Sequence, residues 1–232
     1  MMLVRPSQKR GRTRLGWLDS FHTFSFGDYL DPVNRGFSVL RVINEDKIQG
    51  QTGFPTHGHK DMEIVSFVFS GALSHKDSMG TSSKILPGEV QRMSAGTGVE
   101  HSEYNYEAET CHLLQIWLFP KERGIAPSYE QKSFSEKLKS QELTLVVSSN
   151  GSQGSVTIHQ DAKIYQGHYK AGATALLPVE MNRSYWIQMV FGSADLGSQK
   201  LKAGDGMAMT EESSLRITAE SDCEFLFFDL PK

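Results

Sequence analysis

The feature of this sequence that most restricts its fold is an internal repeat of three strand-like segments. Each segment of the first half has a counterpart of similar pattern in the second half, in the same order and at similar offsets. The matched ranges are 65–73 with 186–194, 86–93 with 202–209, and 111–120 with 223–231. Repetition of this kind indicates two copies of one structural unit. We therefore predict two similar domains, over residues 1–130 and residues 131–232.

The repeated segments have the composition of β-strands. Residues 111–119 are largely apolar, a pattern typical of a strand buried on both faces. Residues 63–69 and 37–44 are rich in the β-branched and aromatic side chains that favour strands. Helical character is predicted only around residues 133–139, where Ser135 could cap a short turn. These patterns, with 21 glycines to form turns, predict an all-β fold.

Length, charge and cysteine content exclude several classes of protein. The 232 residues suffice for one large β domain or two of about a hundred residues. A formal net charge of -3 gives no global electrostatic support for binding to nucleic acid or a membrane surface. No apolar run approaches the roughly 20 residues that span a bilayer, and the N-terminus lacks the apolar core of a secretion signal. Since two cysteines make no disulfide framework, we expect a cytoplasmic protein. From the charge and the absence of long apolar runs, we expect no membrane or nucleic-acid partner.

The N-terminal segment is locally basic, and no acidic residue precedes Asp19. We interpret this segment as a solvated arm, with contact to an anionic partner as the alternative. Its basic residues are Arg5, Lys9, Arg10, Arg12 and Arg14.

Two short triplets carry the residues best suited to chemistry. They are His57-Gly58-His59 and, about forty residues later, His101-Ser102-Glu103. In an extended strand, side chains at positions i and i+2 point to the same face, so each triplet offers two donor groups side by side. If the two strands are neighbours, three imidazoles and one carboxylate can converge on a divalent metal ion, for which such ligands are typical.

The ligand set also indicates what kind of metal site to expect. Four ligands on an octahedral ion leave two positions for substrate, dioxygen or water, whereas a structural tetrahedral site is closed. The mixed set is nearest to the histidine and carboxylate pattern of non-haem iron sites. We expect one divalent metal ion, and iron(II), manganese, nickel, copper, cobalt or zinc could occupy these ligands.

The carboxylate ligand has two candidates. Glu103 lies two residues from His101 and needs no further geometric help, while Glu63 has the same strand parity as His57 and His59. We predict Glu103 as the ligand and Glu63 as an acid of the surrounding pocket, with a surface carboxylate as the alternative for Glu63. If Glu103 detaches from the metal, it could also accept a proton from the substrate.

The second copy of the repeat lacks such a ligand set. In place of the first histidine pair it has residues 180–183. In place of the second triplet it offers only Ser213, Arg216 and Thr218. We therefore predict a metal site in the first domain alone.

The other histidines do not form a ligand set. His22 and His75 flank turns and are predicted to face solvent or to form local hydrogen bonds. His112 lies in an apolar strand, where a hydrogen-bonded core histidine is expected more often than a ligand. His159 and His168 lie in the second copy without partners at ligand spacing.

The two triplets lie within patterns that resemble the two motifs of the cupin superfamily. The first is His57-x-His59-x3-Glu63-x7-Gly71, and the second is Gly96-x-Gly98-x2-His101-x3-Asn105, with Gly96 where many cupins have proline. More narrowly, the chain resembles the pirin family. The stretches that carry this resemblance are residues 16–26, 57–64 and 93–105, and it extends through the whole chain.

The resemblance to pirins implies a fold and a ligand set. Pirins are bicupins, with two stacked antiparallel, jelly-roll-like β-barrels and one metal ion in the N-terminal barrel. Carried onto the matching positions, the family's ligands are His57, His59, His101 and Glu103, which favours Glu103 over Glu63. The C-terminal barrel would be degenerate and without metal ligands.

The resemblance also implies two kinds of activity. Some bacterial pirins resemble quercetin 2,3-dioxygenases, which open a flavonol ring with dioxygen, while others are iron-dependent partners of transcription factors. We expect a monomeric, metal-dependent dioxygenase with a flavonol-like substrate. The alternative is a non-catalytic, redox-responsive iron protein that binds a protein partner. An open apolar cavity reaching the metal would favour the enzyme, and a sealed site the binding protein.

Overall fold

Strands make up most of the fold. The computed structural model describes residues 1–232, the whole chain, with 22 β-strands, one α-helix and two short 3-10 helices. The strands form two seven-stranded and two four-stranded sheets, antiparallel except for one pair. The predicted all-β fold of two halves is confirmed. Each half combines one large and one small sheet, and no closed ring of hydrogen bonds makes either half a continuous barrel.

The first part of the chain supplies twelve strands. Their order is β12-β9-β6-β11-β4-β3-β2 in the large sheet and β5-β10-β7-β8 in the small sheet, while β1 belongs to the other half. The bounds are β1 (Met2–Arg5), β2 (Gly11–Arg14), β3 (Leu18–His22), β4 (Leu40–Ile48), β5 (Thr52–His59), β6 (Glu63–Ser70), β7 (Leu73–Asp77), β8 (Ser82–Ile85), β9 (Glu89–Ser94), β10 (Val99–Asn105), β11 (Cys111–Leu118) and β12 (Ser128–Ser133).

The remaining part supplies ten strands and the single α-helix. Their order is β1-β20-β17-β22-β15-β13-β14 in the large sheet and β16-β21-β18-β19 in the small sheet. The bounds are α1 (Ser135–Ser140), β13 (Leu143–Ser148), β14 (Val156–Thr157), β15 (Lys163–Tyr169), β16 (Thr174–Leu177), β17 (Ser184–Phe191), β18 (Ser193–Asp195), β19 (Lys200–Lys202), β20 (Gly206–Thr210), β21 (Leu215–Ala219) and β22 (Cys223–Leu230); the 3-10 helices are Ser7–Lys9 and Ser152–Gly154.

The internal repeat corresponds to equivalent positions in the two large sheets. Strands β9, β6, β11 and β4 are adjacent in the first half, and β20, β17, β22 and β15 are adjacent in the same order in the second. The three repeated segments fall on β6 and β17, β9 and β20, and β11 and β22. The small sheets correspond strand for strand as well, so the two halves are copies of one unit.

The two halves share strands across the predicted boundary. Strand β1 pairs with β20 at the edge of the second half's sheet, with Met2 opposite Met209. Strand β12 runs past residue 130 and pairs with β9 at the edge of the first half's sheet. The division at residue 130 stays a prediction. The sequence pattern did not predict that β1 joins the second half, because edge pairing depends on contacts between residues distant in sequence.

The main apolar core lies between the halves. It contains 21 buried residues, including Phe67 and Ile116 from the first half and Ile164 and Phe228 from the second. A second core of 16 residues fills the interior of the second half. The interior of the first half has only two small apolar clusters, of seven and four residues. The first half therefore has room for something other than apolar packing.

The basic N-terminal segment is tied into the fold. Four of its five basic side chains form ion pairs, and those of Arg5 and Arg10 are largely buried. The prediction of a solvated arm is therefore wrong for most of the segment. The alternative, contact with an anionic partner, is weakened because most of the basic side chains already pair with acidic residues of the chain. The pairs are Arg5–Asp31 (3.0 Å), Arg10–Glu45 (2.7 Å), Arg12–Asp19 (2.8 Å) and Arg14–Asp19 (3.6 Å).

The α-helix lies close to its predicted position. Helix α1 begins at Ser135, and Phe134 occupies the position before it without a side-chain hydrogen bond to the helix. The prediction that Ser135 caps the turn is therefore wrong, since this residue is already helical. With six residues, α1 falls far short of the length and apolarity that a membrane-spanning helix requires, and the chain has no such helix elsewhere.

Replacing Arg5 tests how strongly the N-terminal segment is anchored. The Arg5 guanidinium donates to the backbone oxygen of Thr23 at 3.2 Å and to Asp31 at 3.0 Å. Arg5→Ala should lower the free energy of unfolding by about 2 kcal/mol, because the backbone oxygen of Thr23 loses a buried donor and Asp31 loses its ion-pair partner. Urea denaturation followed by circular dichroism measures this change. Arg12→Ala, which removes an exposed pair, should have a much smaller effect; equal losses in both variants would contradict the anchoring role.

Candidate metal centre and adjoining cavity

Two neighbouring strands bring the histidine triplets together. Strands β5 and β10 pair in the small sheet of the first half, with His101 directly opposite His57. The register shifts between His101 and Glu103, so that Pro55 and Thr56 of β5 form a bulge. Burial alternates along β10, and both His101 and Glu103 are on its buried face. The pairing therefore places the donor groups of both triplets on one side of the sheet.

Three imidazole nitrogens meet at one point. Nε2 of His101 lies 2.9 Å from Nε2 of His59 and 3.1 Å from Nε2 of His57. At metal–nitrogen distances of about 2.1 Å, two nitrogens at a right angle on one ion are about 3.0 Å apart. The observed separations are therefore those of neighbouring ligands on a single octahedral ion.

Hydrogen bonds on the far sides of the rings assign the imidazole protons. Nδ1 of His57 donates to the backbone oxygen of Pro55 at 2.8 Å. Nε2 of His75 donates to Asp77 at 3.0 Å, which leaves Nδ1 of His75 to accept from Nδ1 of His101 at 3.3 Å. In both cases the proton is on Nδ1 of the converging ring. Nε2 of His57 and of His101 therefore carries a free lone pair.

The environment keeps the rings of His59 and His101 neutral. Burial, with a smaller effect from His57, lowers the pKa of His59 to about 4. Burial and then the neighbouring rings of His57, His59 and His75 lower the pKa of His101 further. Neutral imidazole is the form that ligates a metal. Bare nitrogens that face each other at about 3 Å repel, and a cation between them converts this repulsion into attraction, so these residues fit a metal ion.

Glu103 lies beside the imidazoles and is held by a chain of hydrogen bonds. Nε2 of Gln115 donates to both carboxylate oxygens, at 3.0 and 2.9 Å, and Nε1 of Trp117 donates to Oε1 of Gln115 at 3.0 Å. Burial raises the pKa of Glu103 to about 7. A carboxylate oxygen of Glu103 forms a second group of ligand atoms with His75 and His101, all within 4.8 Å of one another. The role of Glu103 as fourth ligand stays a prediction.

Glu63 lies outside this site. Its buried carboxylate accepts from Oγ of Ser94 at 2.9 Å and from the backbone N–H of His159 at 3.1 Å, at the junction of the two halves. The prediction of Glu63 as an acid of the metal pocket is therefore wrong. Its even spacing from His57 and His59 does not place it on the same face, because residues 60–62 separate the two strands and β6 belongs to the other sheet.

A cavity of about 420 Å³ adjoins the imidazoles. Its volume lies within the range of small-molecule sites, about 300 to 1,000 Å³. His57, His59 and Glu103 line one side, and exposed Leu15 and Asp28 stand at its mouth. Much of the remaining wall is apolar or aromatic. The side chains that contribute most of this surface are Leu15, Leu18, Phe26, Phe54 and Trp117.

The polar wall of this cavity was not predicted from the sequence. The predicted strand over residues 37–44 stops too early, because β4 continues to Ile48. Two polar residues therefore occupy inward positions of a strand whose other inward positions are apolar, and this alternation was readable in the sequence. The polar wall consists of Ser20 and His22 on β3 and of Asn44 and Asp46 on β4.

The second half shows no comparable group. Both groups of convergent ligand atoms lie in the first half. Strands β16 and β21, the counterparts of β5 and β10, pair Leu176 with Arg216 and Thr174 with Thr218. Residues 180–183 lie in the loop after β16, so the predicted counterpart of the histidine pair was placed several residues too late.

Two of the other histidines are more buried than predicted. The expectation that His22 and His75 face solvent is wrong, although both form the hydrogen bonds that the alternative expected. His75 matters to the site because it contacts His101. His112 is buried 3.0 Å from Glu45, as expected of a core histidine.

Comparison with known proteins gives full-length relatives. A family model described as Pirin matches residues 4–118, and one described as Quercetinase C-terminal cupin domain matches residues 145–230. A quercetin 2,3-dioxygenase of Escherichia coli strain K12 is 45% identical over 232 residues, which cover 100% of this chain and 99% of that protein. A pirin-like protein of Caulobacter vibrioides is 38% identical over 226 residues, 97% of each chain.

Solved structures show the same fold. The bacterial pirin YhhW from Escherichia coli in complex with nickel(II) has a TM-score of 0.94 and 44% identity, covering 100% of this chain and 99% of that chain. A quercetin 2,3-dioxygenase from Acinetobacter baumannii has a TM-score of 0.78 and 19% identity, covering 95% of this chain and 84% of that chain. The second of these likenesses is one of fold alone.

Replacing His75 tests whether the Asp77–His75–His101 chain supports metal binding. His75→Ala should weaken binding of a divalent metal roughly 10- to 100-fold, because outer partners that orient a ligating imidazole contribute about that much. Calorimetric titration of metal-free protein with nickel(II) measures the affinity. His112→Ala, which removes a buried histidine outside the site, should leave it unchanged. Wild-type affinity in His75→Ala would refute the role of this chain.

Proposed function

The chain belongs to the pirin family, and on this premise we propose that it is a metal-dependent dioxygenase that opens a flavonol-type ring with dioxygen. The observation that carries the proposal is the cavity of about 420 Å³ that reaches His57 and His59 and whose wall is largely aromatic and apolar. A binding protein that only reports the state of its metal needs no such space. The relatives named quercetin 2,3-dioxygenase support the choice of substrate class.

We infer that His57, His59, His101 and Glu103 hold one divalent metal ion. The distances from Nε2 of His101 to Nε2 of His57 and of His59, with the buried carboxylate of Glu103 near His101, support this ligand set. Iron(II) is the first candidate, and the nickel(II) complex of a relative supports nickel(II) as an alternative. When bound, the ion supplies a Lewis acid and a template that orients substrate and dioxygen.

The side chains around the cavity have distinct parts in this proposal. Phe26, Phe54 and Trp117 bind the planar ring system and exclude water from the reacting carbons. Glu103 takes up the proton of the substrate hydroxyl on a carboxylate oxygen, since this carboxylate lines the cavity and lies beside His101. Gln115 keeps that carboxylate in place through two hydrogen bonds.

The remaining parts of the proposal concern the whole molecule. We take residues 1–130 as the metal-binding domain and residues 131–232 as the domain without metal. Free, buried Cys111 and Cys223 support a reducing, cytoplasmic setting. A monomer is proposed, with no partner needed for catalysis. The rival function, a redox-responsive binding protein, had the basic N-terminal segment as its support in the sequence, and most of that charge is paired within the chain.

An oxygen-dependence assay tests the proposed reaction. Iron(II)-loaded protein should consume dioxygen and remove the flavonol absorbance band of quercetin in air, and should do neither under anaerobic conditions. His57→Ala and His101→Ala should bind no metal and give no ring opening, because each removes one of three converging nitrogens. The proposal would be refuted if no ring opening occurred with any of iron, manganese, nickel, copper, cobalt and zinc. Recovery of a protein partner under ferric but not ferrous conditions would favour the rival.

A pair of glutamate variants tests the choice of carboxylate. Glu103→Gln should lower the ring-opening rate on the order of 10²-fold and weaken metal binding, because it removes both a ligand and a proton acceptor. Glu63→Gln is the matched control, since it changes a buried glutamate at the junction of the halves and should leave metal affinity intact. Metal content and turnover are measured for both. The reverse order of effects would overturn the assignment of Glu103.

A further inference from the structure

A row of polar side chains crosses the interior of the first half. The row follows the strand register of the large sheet, through β3, β4, β11, β6 and β9, and every member is buried. Such a row is costly inside a β-fold unless its groups are hydrogen-bonded. Its members are His22, Asn44, Gln115, Ser66 and Gln91.

The second half has aromatic or aliphatic residues and a methionine at the positions equivalent to Asn44, Gln115, Ser66 and Gln91. Tyr165, Phe227, Ile187 and Met207 follow the same register through β15, β22, β17 and β20. All four belong to the packed core of that half or lie against it. The same unit can therefore be built with an apolar interior, so the polar row is not a requirement of the fold.

The two halves differ most at the next inward position of β4, two residues after Asn44. Asp46 lies opposite Leu113, and at the equivalent place Gly167 lies opposite Phe225. A side chain at Gly167 would collide with the Phe225 ring, whose nearest atom is 2.4 Å from the position of an added Cβ. In the second half the phenyl ring therefore fills the space over a glycine. In the first half that position carries an acid facing a cavity.

Two groups on this wall have hydrogen-bonding capacity that the protein does not use. Oδ1 of Asp46 is buried without a hydrogen-bond partner, and the residue is only 4% exposed. Asn44 accepts from Nδ1 of His22 at 2.8 Å, which leaves its amide N–H groups directed to no protein acceptor. Burial raises the pKa of Asp46 to about 7, against a hydrogen bond from Ser20 that lowers it.

We propose that Asn44 and Asp46 form a subsite that binds phenolic hydroxyl groups of the substrate away from the metal. The inference rests on the proposed function and assigns these two residues as determinants of which flavonoids the cavity prefers. The two residues stand at i and i+2 of β4 and line the same cavity as His57 and His59. One amide donor beside one carboxyl group complements a hydroxyl, which both donates and accepts. The aromatic wall then holds the ring between the subsite and the metal.

The hydrogen-bonded neighbours keep this subsite in one orientation. His22 receives a hydrogen bond from the Thr13 hydroxyl at 2.9 Å on one ring nitrogen and donates to Asn44 from the other. The amide oxygen of Asn44 is thereby committed to the protein, and its N–H groups are turned away from His22. The N–H groups of Asn44 therefore remain free to donate to a ligand hydroxyl.

The test measures binding to metal-free protein, so that it does not depend on ring opening. The probes are unsubstituted flavone and luteolin, a tetrahydroxylated flavone that lacks the hydroxyl at the reacting carbon. Wild-type protein should bind luteolin at least about tenfold more tightly than flavone, because hydroxyls that satisfy buried polar groups are strongly selected. Asp46→Leu should abolish this preference, and Asp46→Asn should retain most of it. Lys47→Leu, on the opposite face of the same strand, is the matched control and should retain it fully.

A stability measurement separates recognition from a structural role. Asp46→Leu should unfold at the same temperature as the wild type or a higher one, because it replaces a buried, incompletely bonded acid with an apolar side chain. A lower melting temperature together with unchanged selectivity would assign Asp46 a structural role and overturn the proposal. If Asp46→Leu fails to fold, Asn44→Ala must show the loss of preference instead.

The outcomes also distinguish this inference from the proposed reaction. Ring opening by the wild type with an undiminished preference for luteolin in Asp46→Leu would refute the subsite and leave the dioxygenase intact. Preference for luteolin that depends on Asp46, in a protein that opens no flavonol under any metal, would support the subsite and refute the reaction.

Discussion

The centre depends on hydrogen bonds that lie outside it. Three imidazoles can ligate one metal ion only if their facing nitrogens carry no proton, and two of the rings meet this condition because their outward nitrogens donate elsewhere. The bulge in β5 brings the Pro55 carbonyl to His57, and the Asp77–His75 pair performs the same task for His101. The rings are thereby preorganised as ligands before any ion is present.

The two halves divide between them the tasks of stability and binding. Both contribute to the apolar core at their junction, and the second half also fills its own interior with rings such as Phe225 and Phe227. The first half gives up that packing along its central row and keeps polar groups instead. A cavity beside a metal site can exist there because the shared core and the packed second half supply stability that the first interior lacks.

Single residues show how far the sequence could be read. The repeat predicted the equivalent strands of the two sheets, and the two triplets predicted which histidines would meet. Parity failed for Glu63, since a turn separates it from the histidines and moves it to another sheet. Asp46 was missed because the predicted strand ended at Asn44. His75 was missed because its importance comes from a contact with His101, 26 residues away, which no local pattern encodes.

The sequence by itself determined the all-β architecture, the duplication and the identity of the converging imidazoles, because strand periodicity and repeat order are local properties of the chain. Only the tertiary structure decided that Glu63 lies outside the site, that β1 joins the second half, and that an aromatic and polar cavity adjoins the site. These features depend on sheet pairing and on how the sheets pack over each other. Sheet pairing and sheet packing are both determined by contacts between residues far apart in sequence, and strand periodicity does not predict such contacts.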